Sequence, residues 1–104
     1  MKTRTAPSPE STELDRIREA IDVVDERLLD LIAHRQRLAL STLEVKTRHG
    51  LLPVDVSREA AVVARGAKLA RERGLEPELV RDIFWRLIEL SRAGYRARGT
   101  RNGA

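Results

Sequence analysis

Between Thr12 and Arg48 the chain runs without a glycine or a proline, and its apolar residues fall in alternating three- and four-residue steps. They are Leu14, Ile17, Ile21, Val24, Leu28 and Leu31, then Leu38 and Val45. This spacing is the seam of helix-on-helix packing. It predicts one helix from about Thr12, an N-cap with Asp15 three residues on, to about Arg48. About 35 residues at 1.5 Å rise span roughly 52 Å. A compact domain of ~100 residues has a radius of gyration of ~13 Å, hence a diameter of only about 34 Å. Such a helix protrudes from any single globule with its seam uncovered, and a second copy of the chain is the simplest cover. The expectation is an all-α fold: a three-helix subunit with one very long N-terminal helix, forming an intertwined homodimer.

The rest of the chain reads as two further helices between loose ends. Residues 1–11 (MKTRTAPSPES) are rich in Pro, Ser and Thr and predict a disordered arm. Residues 12–96 form the helical domain, and 97–104 (ARGTRNGA) a flexible basic tail. The linker His49 to Val56 holds Gly50 and Pro53 and should be irregular. Ser57 can cap a second helix that stops at Gly74, a residue suited to the C′ position. Pro77 suits the first turn of a third helix, which runs through Leu79, Val80, Ile83, Phe84, Leu87, Ile88 and Ser91 to about Arg96.

Composition narrows the chemistry. Phe84, Trp85 and Tyr95 are the sole aromatic residues in 104, so the core must be aliphatic. Charged residues reach 35%, which suits helices with wide polar faces or a core shared between chains. With no cysteine, thiolate nucleophiles, disulfide scaffolds and cysteine zinc sites are excluded. No apolar run approaches the ~20 residues of a membrane span, and Met1 to Thr12 has no signal-type stretch, so the cytoplasm is expected. The net charge is +4, and of the 20 basic residues all but Lys2, Lys46 and Lys68 are Arg. Such a surface suits nucleic acid or small anions alike, and the Arg fork matches carboxylate and phosphate.

The charges inside the seam are the informative ones. Where the next apolar residue after Leu31 is due, the chain has Arg35; Thr42 occupies another seam position, and Lys46 lies beside Val45. Arg35 and Lys46 are three turns apart and within roughly 20° on one helix face. An Arg on a seam is costly unless an anion meets it. That anion is either an acid of the protein, such as Glu59, Glu89 or a residue of a second copy, or a bound small molecule. Arg18 lies about 100° away around the helix. Taken alone it reads as a solvated surface residue, yet it can enter the pocket of a second copy in a dimer with antiparallel long helices. At the start of the second helix, Asp55, Ser57 and Glu59 suit the helix dipole and Arg58 does not, which suggests an anion near Arg58. His34 and His49 lack metal-ligand spacing and read as solvated. No Ser/His/Asp order, Gly-rich phosphate loop or paired-carboxylate motif stands out, and neither a cofactor nor a metal is expected.

The stretch from Ile17 to Lys46, PVDVSRE at 53–59 and GLEPELVRDIFWRLIELS at 74–91 together resemble the all-helical chorismate mutases. The most specific part is the joint spacing of Arg18, Arg35, Lys46, Arg58 and Glu59 with Asp22 and Asp25. The resemblance implies a dimer of three-helix subunits sharing two active sites across the long helices. It implies an isomerase of aromatic amino acid biosynthesis that turns chorismate into prephenate. Arg35 and Arg18 of the other copy would each hold a substrate carboxylate, and Lys46 would donate to the ether oxygen. Glu59 would accept from the ring C4 hydroxyl with help from the backbone near Asp55, while Arg58 and Ser91 support carboxylate binding. Such a rearrangement needs no nucleophile, metal or cofactor; it needs a reactive conformer held in place and a cation at the ether oxygen. Where the family usually has Gln or Glu as a second donor, this chain has Tyr95. A phenol is neutral at working pH and can donate, or Tyr95 merely packs at the helix end near Gly94.

Three rivals stand beside this reading. Relatives act on isochorismate as pyruvate lyases, or on 4-amino-4-deoxychorismate as mutases, and often carry an apolar residue in place of Glu59; its presence here favours a 4-hydroxyl substrate. A helix-turn-helix would use Ala70, Gly74 and Val80, but its recognition helix would open with Glu76, Pro77 and Glu78, which repel DNA, so no nucleic-acid partner is expected. A helical dimer that only recruits partners is the third. Some relatives gain activity from a partner enzyme, but no docking surface for one is legible in the sequence.

Overall fold

The computed structural model describes residues 8–102, with side chains to Gly99. Three helices account for the described fold: α1 (Pro9–Arg48), α2 (Val56–Glu72) and α3 (Pro77–Asn102). No strand occurs among the described residues. The chain divides into two compact units between Ala33 and His34.

In the first unit, α1 begins three residues before Thr12. Ser8 is the cap: its Oγ accepts the Ser11 N–H at 3.1 Å, and its carbonyl accepts the Thr12 N–H at 3.0 Å. Pro9 then occupies the first helical position, where its missing N–H costs nothing. The expected arm thus has helix from Pro9 to Ser11, and its residues 1–7 lie outside the described ones. The seam residues Leu14, Ile17, Ile21, Val24, Leu28 and Leu31 are each 45% to 65% exposed.

The second unit holds the buried residues. Val63, Ala67 and Ala70 share one face of α2 at helical spacing, and Ile88 and Ser91 of α3 and Leu43 of α1 are buried with them. Small residues let α2 and α3 approach closely. At Gly66 an added Cβ would stand 2.6 Å from Cδ2 of Phe84, so the ring packs on bare backbone. The α1 segment is fastened to α3 through side chains. Gln36 Nε2 donates to the Leu90 carbonyl at 2.8 Å, and Arg98 Nη1 donates to Glu44 Oε1 at 2.9 Å.

Both connections end in the same device. After α1, Gly50 has φ +66°, and the Leu51 N–H reaches back to the Lys46 carbonyl at 2.8 Å. After α2, Gly74 has φ +70°, and the Leu75 N–H reaches the Ala70 carbonyl at 2.9 Å. A left-handed glycine followed by this back-bond closes a helix, as expected for Gly74. Two further boundaries differ from expectation. Asp55, not Ser57, caps α2, its Oδ1 accepting the Arg58 N–H at 3.0 Å. Helix α3 continues past Arg96 to Asn102, so the segment expected to be a loose tail from Ala97 is helical as far as it is described.

Candidate active site

One cleft of about 270 Å³ lies within the second unit. From α1, Arg35, Leu38, Ala39, Thr42 and Lys46 line it at the three- and four-residue steps of a single helix face. The loop adds Pro53 and Asp55, α2 adds Arg58, Glu59 and Val62, and α3 adds Ile88, Ser91 and Tyr95. Of the residues singled out in the sequence, Arg35, Lys46, Asp55, Arg58, Glu59, Ser91 and Tyr95 therefore meet in one place. Arg18 belongs to the first unit, is exposed, and is not among the lining residues.

Arg35, Ser91, Lys46 and Asp55 are each held by a neighbour. Arg35 Nη1 donates to Ser91 Oγ at 3.1 Å, and the nearly buried Ser91 hydroxyl donates in turn to the Leu87 carbonyl at 3.2 Å. That leaves most of the five guanidinium N–H groups of Arg35 available. Lys46 Nζ donates to the Pro53 carbonyl at 2.9 Å, which ties α1 to the loop and leaves two N–H groups on the ammonium. Asp55 spends one carboxylate oxygen on its cap, so its charge offsets the dipole of α2 at the mouth of the cleft.

Among the described residues, no carboxylate lies within salt-bridge distance of Arg35, Lys46 or Arg58. The acids named as internal partners for Arg35 are engaged elsewhere. Glu89 pairs with Arg86 at 2.9 Å, and Glu59 pairs with Arg92. Three cations on one cleft that also holds Asp55 and Glu59, none of the three paired with either, make an anion site, because the field they create is left to be met by something bound.

The Glu59 contact went unseen in the sequence. Arg92 Nε donates to Glu59 Oε2 at 2.9 Å, and Arg92 Nη2 donates to Oε1, so the guanidinium fork grips both oxygens. The hydrogen bond to Glu59 raises the pKa of Arg92 further above its ordinary value; desolvation opposes this, and the charges of Glu59 and Glu89 add to it. Ser91 and Arg92, adjacent on α3, thus fix one cation and one anion of the same cleft. Arg92 is one of many arginines, 33 residues from its partner, with no local pattern to distinguish it.

His34 and His49 are exposed, as expected, and the described residues contain no cluster of His, Cys, Asp and Glu able to hold a metal ion. At the start of α3, Glu76 Oε1 accepts the Glu78 N–H at 3.0 Å. The carboxylate itself occupies that helix end, which leaves little there for a DNA phosphate. Among the described residues, no helix is long and apolar enough to cross a membrane.

The family model of chorismate mutase type II matches residues 17–94, a span that takes in Arg18 and all but one residue, Tyr95, of the cleft. The chain belongs to this family. Among curated proteins it is similar to the T-protein of Enterobacter agglomerans, 40% identical over 79 residues, covering 76% of this chain but 21% of that protein. It is also similar to the chorismate mutase of Methanocaldococcus jannaschii, 36% identical over 80 residues, covering 77% of this chain and 81% of that one. A third relative is the 4-amino-4-deoxychorismate mutase of Streptomyces venezuelae, 31% identical over 75 residues, covering 72% of this chain and 73% of that protein. No solved structure gives a significant match.

Proposed function

We propose that the chain is a chorismate mutase, an isomerase that rearranges chorismate to prephenate in a homodimer with shared active sites. The observation that carries this is the cleft's set of cations, Arg35, Lys46 and Arg58, none of them in a salt bridge among the described residues, in a member of this family. A cleft of this size suits a small molecule, near the lower end of the usual ~300–1,000 Å³ for ligand pockets.

The reaction breaks the ether C–O bond and forms a C–C bond in one concerted shift. No proton or electron changes hands, so no acid–base pair is required. The protein has two tasks. The first is to hold the enolpyruvyl chain folded over the ring, which removes most of the entropic part of the barrier. Arg35, braced by Ser91, takes one carboxylate; Arg58 supports binding; Arg18 of a second copy takes the other. The second task is to stabilise the charge that grows on the ether oxygen. Lys46, fixed by Pro53, donates there, and Tyr95 is the second donor. Glu59 receives the ring hydroxyl, next to the Asp55 cap. The aliphatic walls, Leu38, Ala39, Val62 and Ile88, keep the local dielectric low, which makes these charges count for more.

The dimer is part of the proposal. The exposed seam of the first unit supports it, because a stripe of that length left in water is an interaction surface. The named substrates of the relatives leave one close alternative, 4-amino-4-deoxychorismate. Purified protein supplied separately with chorismate, 4-amino-4-deoxychorismate and isochorismate decides among them. Prephenate from the first is the expected result, and no turnover of chorismate would contradict the proposal.

A further inference from the structure

We propose that Arg92 is a specificity-determining positioning residue: by gripping both oxygens of Glu59 it turns that corner of the cleft into a hydrogen-bond acceptor without net charge, which selects a neutral hydroxyl on the substrate ring over an ammonium. The inference rests on the functional reading above, in which Glu59 meets the ring substituent.

The geometry sets the two halves of this effect. Glu59 lines the cleft and its side chain is only 14% exposed, so its charge is poorly screened by water unless something beside it compensates. Arg92 is that compensation, through Nε to Oε2 at 2.9 Å and Nη2 to Oε1. A carboxylate has about four lone-pair sites. The fork takes one on each oxygen and leaves one on each, so Glu59 can still accept from a ligand. What it has lost is its pull on a cation. Without Arg92, Glu59 would stand as a bare anion in a cleft meant for a dianion; it would repel the carboxylates and attract an ammonium. With Arg92, a hydroxyl keeps its hydrogen bond, while an ammonium meets a neutral pair set among Arg35, Lys46 and Arg58.

The other acid near Arg92 does not compete for this role, since Glu89 is engaged by Arg86 at 2.9 Å. Glu59 in turn makes its salt bridge to Arg92 and to no other cation of the cleft among the described residues. Burying a charge without a partner and burying a matched pair have opposite effects on an incoming cation, and that difference is what the pair controls.

The test compares wild type, Arg92→Met and Arg92→Lys, each shown by circular dichroism and sedimentation to keep the wild-type fold and assembly. For each, kcat/KM is measured with chorismate and with 4-amino-4-deoxychorismate, which differ at the substituent facing Glu59. Their binding constants are measured in parallel by calorimetry. Arg92→Met is expected to shift the ratio toward the amino substrate by about tenfold, the size of effect expected of one partly screened charge a few ångströms away. The change should appear mainly in KM and in the binding constants. Arg92→Lys, which keeps the charge but not the fork, should restore most of the ratio. A purely structural role for Arg92 would lower both substrates alike; an unchanged ratio in Arg92→Met overturns the inference and leaves the chorismate mutase reading standing. If wild type neither binds nor converts either compound, the functional reading fails and this inference with it.

Discussion

Lys46 and Tyr95 both line the cleft, but they differ in how firmly the surroundings place them. The Lys46 ammonium is anchored to the Pro53 carbonyl at 2.9 Å, so its position is set before any ligand arrives. Removing a preorganised donor to developing negative charge typically costs ~10²–10³ in kcat. Lys46→Met should show a loss of that order in steady-state assays with chorismate, while its thermal unfolding stays near that of wild type. Tyr95 is half-buried and contributes one neutral hydroxyl. A hydrogen bond of that kind is worth about 1 kcal/mol, so Tyr95→Phe should slow kcat about fivefold; an unchanged kcat would make Tyr95 a packing residue. Arg92 titrates above its already high ordinary value. Its raised pKa means that Arg92's own contribution to the Glu59 pair is present below the ordinary arginine value and is lost only as pH rises through the raised one. Arg35 and Lys46 were legible because a charge on or beside an apolar seam is anomalous in itself, Asp55, Arg58 and Glu59 because they crowd one helix start, and the roles of Ser91 and Tyr95 only through the family resemblance. Arg92 was not, because an arginine on a polar face is ordinary until Glu59 is seen beside it.

At the scale of elements, the boundaries that could be read locally are those made by backbone chemistry. Gly74 and Pro77 punctuate the chain wherever they occur, and they end α2 and begin α3 as expected. The caps were harder, because serines, threonines and aspartates compete within a few residues. Ser8 rather than Thr12 starts α1, since Pro9 fits the first turn behind it, and Asp55 rather than Ser57 reaches the Arg58 N–H. Helix α3 extends past Gly99, and its Arg98 meets Glu44 at 2.9 Å, a distant contact that no local pattern reveals. Gly66 of α2 packs closely against Phe84 of α3. Gly66→Val places atoms where the ring already sits, and overpacking of this kind costs about 1–3 kcal/mol. Valine is a weak helix former and offsets little of that. A lower midpoint in denaturant titration is expected, and an unchanged midpoint would mean that the α2–α3 contact is looser than described.

The whole molecule raises the question its own chain does not answer, which is what covers the seam of the first unit. Among the described residues the buried hydrophobic ones are Leu43, Val63, Ala67, Ala70 and Ile88, a thin core. Ile21→Glu puts a charge in the middle of the exposed stripe and should shift sedimentation from dimer toward monomer, with activity lost in parallel. The long helix was legible from its spacing; its proposed partner was inferred from the same spacing and from the size of a single domain. The central claim is that Arg35 of one copy and Arg18 of the other serve the same substrate. It is tested most directly by mixing two variants, Arg18→Ala and Arg35→Ala, that are each nearly inactive alone. After subunit exchange, each mixed dimer would hold one intact site and one doubly damaged one. With random pairing of a two-fold dimer, activity should rise to about a quarter of wild type. Mixed dimers that form, as seen by native mass spectrometry, yet stay as inactive as their parents would contradict the shared site.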